Sequence, residues 1–249
     1  MKVFDIYEKI DWYYPFLTAC DFDNVGLLVG DKNTEVTSAV VALDCTNDVV
    51  DFAVEKGANV IVTHHPVIFN PLKSIEGDSV VYKLIKHGIA VISAHTNLDT
   101  GENGVNDCLC SKMGIKVTKS LMIDGLLIRT GETQKVTNAK ELALRARDSL
   151  LATRIRFTDG GKPIKKVAVC SGGGGSLLKS VMASGADAFV TGEVKHSDFI
   201  AAKNAGFTII ECGHFESENI IVPYLTNLLK KVLPEIKFNE YTTSAINYI

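Results

Sequence analysis

Short apolar segments alternate with helical segments from about residue 38 to 114, and this alternation limits the possible folds more than any other feature of the sequence. Residues 40–43 are typical of a buried strand that ends at Asp44. A helix is predicted over 47–56, with Asn47 as its N-cap and Gly57 as its stop. The alternation continues with a strand over 59–63, a helix over 79–88 and a strand over 89–94. It predicts an α/β fold with a mainly parallel sheet that is covered on both faces.

The second half of the chain repeats this plan. EKGANVIVTHHP, which begins at Glu55, resembles MASGADAFVTGEV, which begins at Met182. VVALD parallels VAVCS upstream, and HGIAVISAH parallels AGFTIIECGH downstream. We therefore predict one domain, residues 1–249, made of two duplicated α/β halves at about 1–117 and 118–249, with a cleft between them and a less regular stretch over 122–158 joining them. Chance convergence of generic strand–helix–strand units is the alternative.

Composition places the chain among ordinary globular proteins. Its 249 residues are 46% hydrophobic and 22% charged, and the formal net charge of −3 gives no general attraction to nucleic acids or anionic membranes. Carboxylates at Asp5 and Glu8 interrupt the region that a signal peptide keeps apolar. The six cysteines lack Cys-x-x-Cys spacing, which favours reduced thiols over a disulfide framework. We expect a cytoplasmic location.

Histidines follow the predicted strands, at the edge where the carboxyl ends of parallel strands meet and where sites form. Of the six histidines, four follow strands in this way: His64, His65, His95 and His214. In two halves that face each other, these residues would meet in one cleft. The adjacent His64 and His65 are expected to point apart in an extended loop and so to supply different metal ions. His87 lies at a predicted helix C-terminus, which favours a cation, and is interpreted as structural.

An acid follows two of these histidines at the same spacing. Asp99 follows His95, and Glu218 follows His214, so each pair shares one face of a helical turn and can close on one ion. Imidazole with carboxylate favours zinc, manganese, iron, cobalt or nickel over calcium. Four histidines and two acids exceed the needs of one tetrahedral zinc, which favours two divalent ions per chain in a metal cleft. An ordinary hydrogen-bonded side chain is the alternative for any single histidine. The predicted ligands are His64, His65, His95, Asp99, His214 and Glu218.

Several motifs together resemble the Nif-three-like family of dinuclear metal proteins, which is also labelled GTP cyclohydrolase I type 2. They are Thr63-His64-His65-Pro66, His95-Thr96-Asn97-Leu98-Asp99, Gly213-His214-x-x-x-Glu218, Asp23-Asn24-Val25-Gly26-Leu27 and Thr191-Gly192-Glu193-Val194-Lys195-His196. The resemblance covers essentially the whole chain and is to the short form, because no long insertion separates the halves. It implies metal ligation by the six residues and a toroidal homohexamer whose sites face an internal cavity.

Four polar residues near the predicted ligands are candidates for other roles. Lys195 and His196 follow the strand that corresponds to the one before His65, so His196 is a candidate acid or base and Lys195 a candidate holder of an anionic substrate. A solvated pair at the start of a helix is the alternative. Glu193 aligns with His65 and is a candidate hydrogen-bond partner of a ligand. Asp44 is a candidate for the same role, and a turn-forming role is the alternative.

A glycine-rich run, Cys170-Ser171-Gly172-Gly173-Gly174-Gly175-Ser176, joins a predicted strand to a predicted helix. Gly172 and Gly173 are candidates for substrate contact, because free backbone N–H groups can cradle a phosphate. The run lacks the Lys-Ser/Thr ending of a Walker loop and the third glycine of a dinucleotide fingerprint, and a tight turn explains it as well. Asp23, Asn24 and Gly26 either line the cavity or form a turn.

These residues predict a metal-dependent hydrolase that uses a metal-activated water. Phosphoesters, amides and purine rings are candidate substrates, and the family label adds GTP ring opening, although the chain has no Asn/Thr-Lys-x-Asp guanine motif. The alternative is a non-catalytic metal-binding or regulatory protein whose hexamer is its product. The expected partners are further copies of the chain and a small molecule that can carry phosphate. No membrane partner is expected, and the net charge disfavours nucleic acid.

Overall fold

Helices and strands alternate along the chain in the computed structural model, which describes residues 1–123 and 125–247. The helices are, in chain order, α1 (Val3–Tyr13), α2 (Asn47–Glu55), α3 (Val80–Lys86), α4 (Thr96–Thr100), α5 (Val105–Lys112), α6 (Ala139–Leu150), α7 (Leu178–Ala183), α8 (His196–Asn204), α9 (His214–Glu218) and α10 (Ile221–Val232). The strands are β1 (Gly26–Val29), β2 (Ser38–Ala42), β3 (Val60–Thr63), β4 (Ala90–Ser93), β5 (Ile115–Ile123), β6 (Leu126–Thr137), β7 (Arg156–Thr158), β8 (Ile164–Cys170), β9 (Ala188–Thr191), β10 (Thr208–Glu211) and β11 (Lys237–Tyr241).

Contacts divide the chain into two compact units. Unit 1 consists of Met1–Gly101 and Ile221–Thr243. Unit 2 consists of Glu102–Ile220 and the described residues from Ser244 onward. Unit 2 therefore interrupts the chain of unit 1. The predicted duplication into halves of about 1–117 and 118–249 describes how the sequence arose, not how the chain packs. It stays a prediction.

Unit 1 is built on a five-stranded sheet in the order β1-β4-β3-β2-β11. The four strands from β4 to β11 run parallel, and β1 pairs antiparallel with β4 at one edge. Every residue of β2, β3 and β4 is buried, which explains their continuous apolar sequences. Val50 of α2 and Leu84 of α3 are fully buried in one cluster with Ile61 of β3. The carboxyl ends of β3 and β4 therefore have fixed positions side by side.

The start of α2 corrects one prediction. Thr46, not Asn47, is the N-cap: its backbone is extended, and its hydroxyl accepts a hydrogen bond from the Val49 N–H at 3.3 Å. Asn47 is the first helical residue. Threonine and asparagine both serve as N-caps. The two residues are adjacent here, so the predicted N-cap was wrong by one residue.

Unit 2 is built on a six-stranded sheet in the order β5-β6-β8-β9-β10-β7. The strands β8, β9 and β10 are parallel, while β7 and the β5–β6 hairpin add antiparallel strands on either side. Buried clusters include Leu142 of α6 in one and Phe189 of β9 in another, so apolar side chains cover both faces. The predicted α/β class with mainly parallel strands is confirmed.

The stretch 122–158 is regular, contrary to prediction, since it contains all of β6, α6 and β7. In β6, a short apolar run ends at Ile128 and mostly polar residues follow from Arg129 onward, so no long apolar run marks the strand. Residue 124 of this stretch lies outside the described residues. All six cysteines are free. Every helix in the described part of the chain is too short or too polar to span a bilayer.

Candidate metal centre

Three histidines cluster at the carboxyl ends of two adjacent strands of unit 1. His64 and His65 directly follow β3, and His95 follows β4 after one residue. Their ring centroids lie 5.0 Å (His64–His65), 5.2 Å (His64–His95) and 5.6 Å (His65–His95) apart. One nitrogen from each ring lies within 4.8 Å of the other two. Parallel pairing of β3 with β4 places the three rings within reach of one ion.

Each of the three rings is held through its Nδ1 atom. Nδ1 of His64 donates to the Ala94 carbonyl at 2.9 Å, Nδ1 of His65 to Asp44 Oδ1 at 2.7 Å, and Nδ1 of His95 to Asp23 Oδ1 at 2.9 Å. Carbonyl and carboxylate oxygens only accept, so Nδ1 carries the proton in each neutral ring. The three Nε2 atoms are thereby left as electron-pair donors. This tautomer is the one that a metal-binding histidine needs.

Contrary to the prediction, His64 and His65 do not point apart, since their ring centroids lie only 5.0 Å from each other. The chain bends at both residues instead of remaining extended, so the strict alternation of side chains ends with β3. Asp99, on α4, lies close to His64, with 3.5 Å between Asp99 Oδ1 and His64 Nε2. That Asp99 and His95 close on one ion stays a prediction.

Asp23 is a site residue that the sequence pattern left undecided. Its side chain is fully buried, and besides His95 it accepts hydrogen bonds from the Thr96 N–H at 3.0 Å and the Thr96 hydroxyl at 2.6 Å. Burial raises the pKa of Asp23, but the hydrogen bonds from His95 and Thr96 lower it by more, so the pKa lies below its ordinary value. Asp23 therefore stays ionised and fixes His95.

Unit 2 carries a second group of candidate ligands. His214 begins α9 and Glu218 ends it, and the helical turn brings His214 Nε2 within 3.0 Å of Glu218 Oε2, as the spacing predicted. Glu193 Oε2 lies 3.2 Å from His214 Nδ1. His214 thus has a carboxylate at its Nδ1 atom, as His65 has Asp44.

Gly172 leaves room for this pair. Its φ of +57° is in the left-handed region, and a Cβ atom there would lie 2.0 Å from Glu218 Oε1 and 3.3 Å from His214 Nε2. The N–H groups of Gly172 and Gly175 donate to Ser217 and to the Glu193 carbonyl, so neither is available to a phosphate. Gly173 is exposed and has open space where a Cβ would lie. The glycine at position 172 therefore lets the backbone approach Glu218 and His214 closely, whereas Gly173 lies at the surface.

Lys195 and His196 are exposed at the start of α8. Lys195 lines the same cleft as Glu193 and Gly173, whereas His196 lines a neighbouring pocket with Phe199. Within the described residues, no side-chain hydrogen bond or ion pair joins either residue to His214 or Glu218. The structure therefore brings Lys195 to a surface shared with Glu193, and it places His196 on a different surface.

Comparison with known proteins gives the chain a family. A family model described as Duf34/NIF3 (NGG1p interacting factor 3) matches residues 1–247. The chain belongs to the NIF3 family. It is 32% identical over 250 residues to a Clostridium acetobutylicum protein named GTP cyclohydrolase 1 type 2 homolog, a match that spans 96% of this chain and 93% of the relative.

Further relatives agree with this assignment. A Clostridium perfringens protein of the same name is 34% identical over 244 residues, which is 93% of this chain and 91% of the relative. The crystal structure of Staphylococcus aureus protein SA1388 superposes with a TM-score of 0.89 at 28% identity, covering 100% of this chain and 99% of that one. The two-unit α/β fold is therefore the NIF3 fold.

The donor set of this NIF3 chain fits a divalent transition metal. The three imidazoles have the required tautomer, and Asp99 adds a carboxylate beside His64. Imidazole with carboxylate suits zinc, manganese, iron, cobalt and nickel. The side chains that hold two of these candidate ligands through Nδ1, Asp44 and Asp23, are carboxylates, which are common partners of metal-binding histidines.

Proposed function

We propose that this NIF3-family protein is a metal-dependent hydrolase whose centre is built on His64, His65 and His95. One observation carries the proposal: three rings converge, and each is fixed through Nδ1 by an oxygen acceptor. Orientation of three neighbouring rings in one tautomer supports metal binding.

We extend the proposed centre to Asp99, His214 and Glu218 and to two divalent ions. The repeated His-x-x-x-acid motif supports this extension, because both copies follow a strand that has a parallel neighbour and both form a helical turn. The carboxylate behind His214 adds further support, since it matches the one behind His65. Six ligands also exceed the needs of one tetrahedral ion.

When bound, divalent ions lower the pKa of a water molecule and polarise a phosphoryl or carbonyl oxygen of the substrate. Asp44 and Asp23 orient His65 and His95 by accepting from Nδ1, so that Nε2 of each neutral ring is the atom that would bind a metal. Lys195, on the surface shared with Glu193, holds an anionic group of the substrate, and His196 exchanges protons with a substrate near neutral pH. The names of the Clostridium relatives support a purine nucleotide or another phosphate-containing molecule as the substrate class.

A non-catalytic metal-binding hexamer is the second candidate. The exposure of Lys195 and His196 favours it, because a catalytic pair is expected to face the ligands. Size-exclusion chromatography with light scattering measures the assembly, and hydrolysis assays separate the candidates. A metal-loaded hexamer that hydrolyses neither phosphoesters nor GTP would favour the second candidate.

Metal content per chain tests the proposal. Elemental analysis of protein purified without added metal or chelator should give about two transition-metal ions per chain. His65→Ala should lose metal while its circular dichroism stays unchanged, because His65 contributes a partly exposed side chain at a strand end. His87→Ala is the matched control, since His87 is exposed at the end of α3. A metal content near zero that persists after soaking in zinc and manganese would refute the proposal.

A further inference from the structure

Unit 2 has two adjoining concave surfaces that meet at one arginine. A cleft of about 780 Å³ is lined by residues that include Arg156, Lys179, Glu193 and Lys195. A pocket of about 510 Å³ is lined by Arg156, His196 and aromatic side chains. Both volumes fall in the range of small-molecule sites. Because Arg156 belongs to both linings, a single ligand can contact both surfaces.

Arg156 is held in place by residues around it. Its Nε and Nη2 atoms donate to the two carboxylate oxygens of Glu211, and Nη2 also donates to the Val194 carbonyl at 3.2 Å. The guanidinium carbon lies 5.1 Å from the centre of the Phe199 ring. Glu211 is buried and also accepts from the Val194 N–H at 3.2 Å. The guanidinium therefore has a fixed orientation before any ligand arrives.

One edge of this guanidinium remains available. Nη1 of Arg156 takes part in none of the hydrogen bonds among residues 1–123 and 125–247, and 53% of the side chain is exposed. A fixed arginine edge binds a phosphate or carboxylate with well-defined geometry. The pairing with Glu211 leaves this edge free, since it uses only Nε and Nη2.

The cleft is lined by three cations and three carboxylates, and two of the cations are available to an anion. Lys179 and Lys195 are exposed, and neither ammonium group is engaged by another described side chain. Two carboxylates besides Glu211 also line the cleft, those of Glu193 and Asp198. Glu193 is engaged by His214 at 3.2 Å, which reduces its effect on a bound anion.

The pocket beside the cleft offers a surface for a planar ring. Phe157 is 43% exposed and Ile200 is 50% exposed, and Phe199 lies under the Arg156 guanidinium. Lys203 lines this pocket too, with its ammonium group bound to the Asp159 carbonyl at 2.8 Å. Aromatic faces of this kind stack on bases and other planar groups.

We propose that these surfaces bind one organic anion of the nucleoside monophosphate class, with its phosphate at Arg156 and its base against Phe157 and Ile200. The inference deepens the proposed function and rests on it in one respect: Glu193 connects the cleft to the candidate ligand His214. Lys179 and Lys195 neutralise the remaining phosphate charge. Within this subsite, Arg156, Lys179 and Lys195 position the ligand and take no part in bond breaking.

Isothermal titration of the full chain with AMP, adenosine and inorganic phosphate tests the subsite, on chelator-treated and on zinc-loaded protein. AMP should bind more tightly than adenosine or phosphate. Arg156→Lys keeps the positive charge but loses the planar guanidinium donors, and Arg156→Gln loses both. Each variant should therefore raise the Kd for AMP at least about tenfold. Phe157→Leu should weaken AMP but leave phosphate unchanged.

Arg147→Gln is the matched control, because Arg147 is 50% exposed, pairs with Asp148 and lines neither surface. It should leave the Kd for AMP within about twofold. Arg156 also faces Glu211 across β7 and β10, so Arg156→Gln can weaken the fold. In that case the Kd of Arg156→Lys for AMP is the deciding measurement, and circular dichroism melting and zinc content show whether this variant is folded.

Three results would overturn the subsite: no AMP binding to the wild type, equal Kd values for Arg156→Lys and the wild type, or loss of binding that parallels loss of zinc and of melting temperature. Arginine-dependent AMP binding to chelator-treated protein would support the subsite even in a chain that retains no metal. Failure of the metal proposal and failure of this inference are thus separate results.

Discussion

Replacing Asp23 with asparagine tests whether the acceptors behind the histidines control metal binding. The buried carboxylate accepts hydrogen bonds from His95 Nδ1 at 2.9 Å, the Thr96 N–H at 3.0 Å and the Thr96 hydroxyl at 2.6 Å. Asparagine has nearly the same shape but offers one oxygen and one NH2 group. Its two orientations have different consequences.

With the amide oxygen toward His95, the NH2 group faces the Thr96 N–H. One hydrogen bond to a charged group is then lost, which costs about 1.5–3 kcal/mol of folding free energy. With the NH2 group toward His95, Nδ1 must accept, so the ring proton moves to Nε2 and the ring cannot bind a metal there. In either case we expect Asp23→Asn to weaken zinc binding by about 10- to 100-fold, or roughly 1.4–2.8 kcal/mol.

Competition with a zinc-binding dye measures this affinity, and urea unfolding of metal-free protein measures the folding term. Asp21→Asn is the matched control, because Asp21 is exposed two residues away. It should change neither quantity measurably. Wild-type zinc affinity in a folded Asp23→Asn protein would refute the assignment of Asp23 as the residue that orients His95.

Three further changes test other parts of the structure. Gly172→Ala should lower the free energy of unfolding, measured in urea, by at least about 1–2 kcal/mol. The reason is that φ at Gly172 is +57° and the new Cβ would lie 2.0 Å from Glu218 Oε1. An equal effect of Gly173→Ala would contradict this. Leu151→Gly should raise stability by about 0.5–1 kcal/mol, since Leu151 is 89% exposed and left-handed at the end of α6; a lower melting temperature would refute it. Burial raises the pKa of Cys108 to about 11, so at pH 8 roughly one thiol in a thousand is ionised. Alkylation of Cys108 should be slow in the folded protein and fast in urea, and rapid labelling of folded protein would argue against this burial.

The parallel strands were predictable because both of their faces are buried. The residues of β2, β3 and β4 are all buried, so only apolar runs suit them, and those runs are visible in the sequence. The strand β6 escaped prediction because parts of it are exposed and polar residues interrupt its apolar positions. Burial pattern, more than strand propensity, decided which strands the sequence revealed.

The candidate site was predictable where its residues are close in sequence. The helical turn from His214 to Glu218 follows from their spacing. The partnership of His95 with Asp23 joins residues 72 positions apart, and that of Arg156 with Glu211 joins residues 55 positions apart. Such pairs depend on tertiary packing, so a motif can mark Asp23 but cannot name its partner.

The interruption of unit 1 by unit 2 has a consequence for biosynthesis. β11 pairs with β2 through Lys237–Tyr241, so the edge of β2 stays open on the ribosome until nearly 200 further residues have been made. Unit 2 can form meanwhile, because Glu102–Ile220 is continuous. The nascent chain therefore carries an apolar strand edge of the kind that chaperones protect, until β11 is made and pairs with β2.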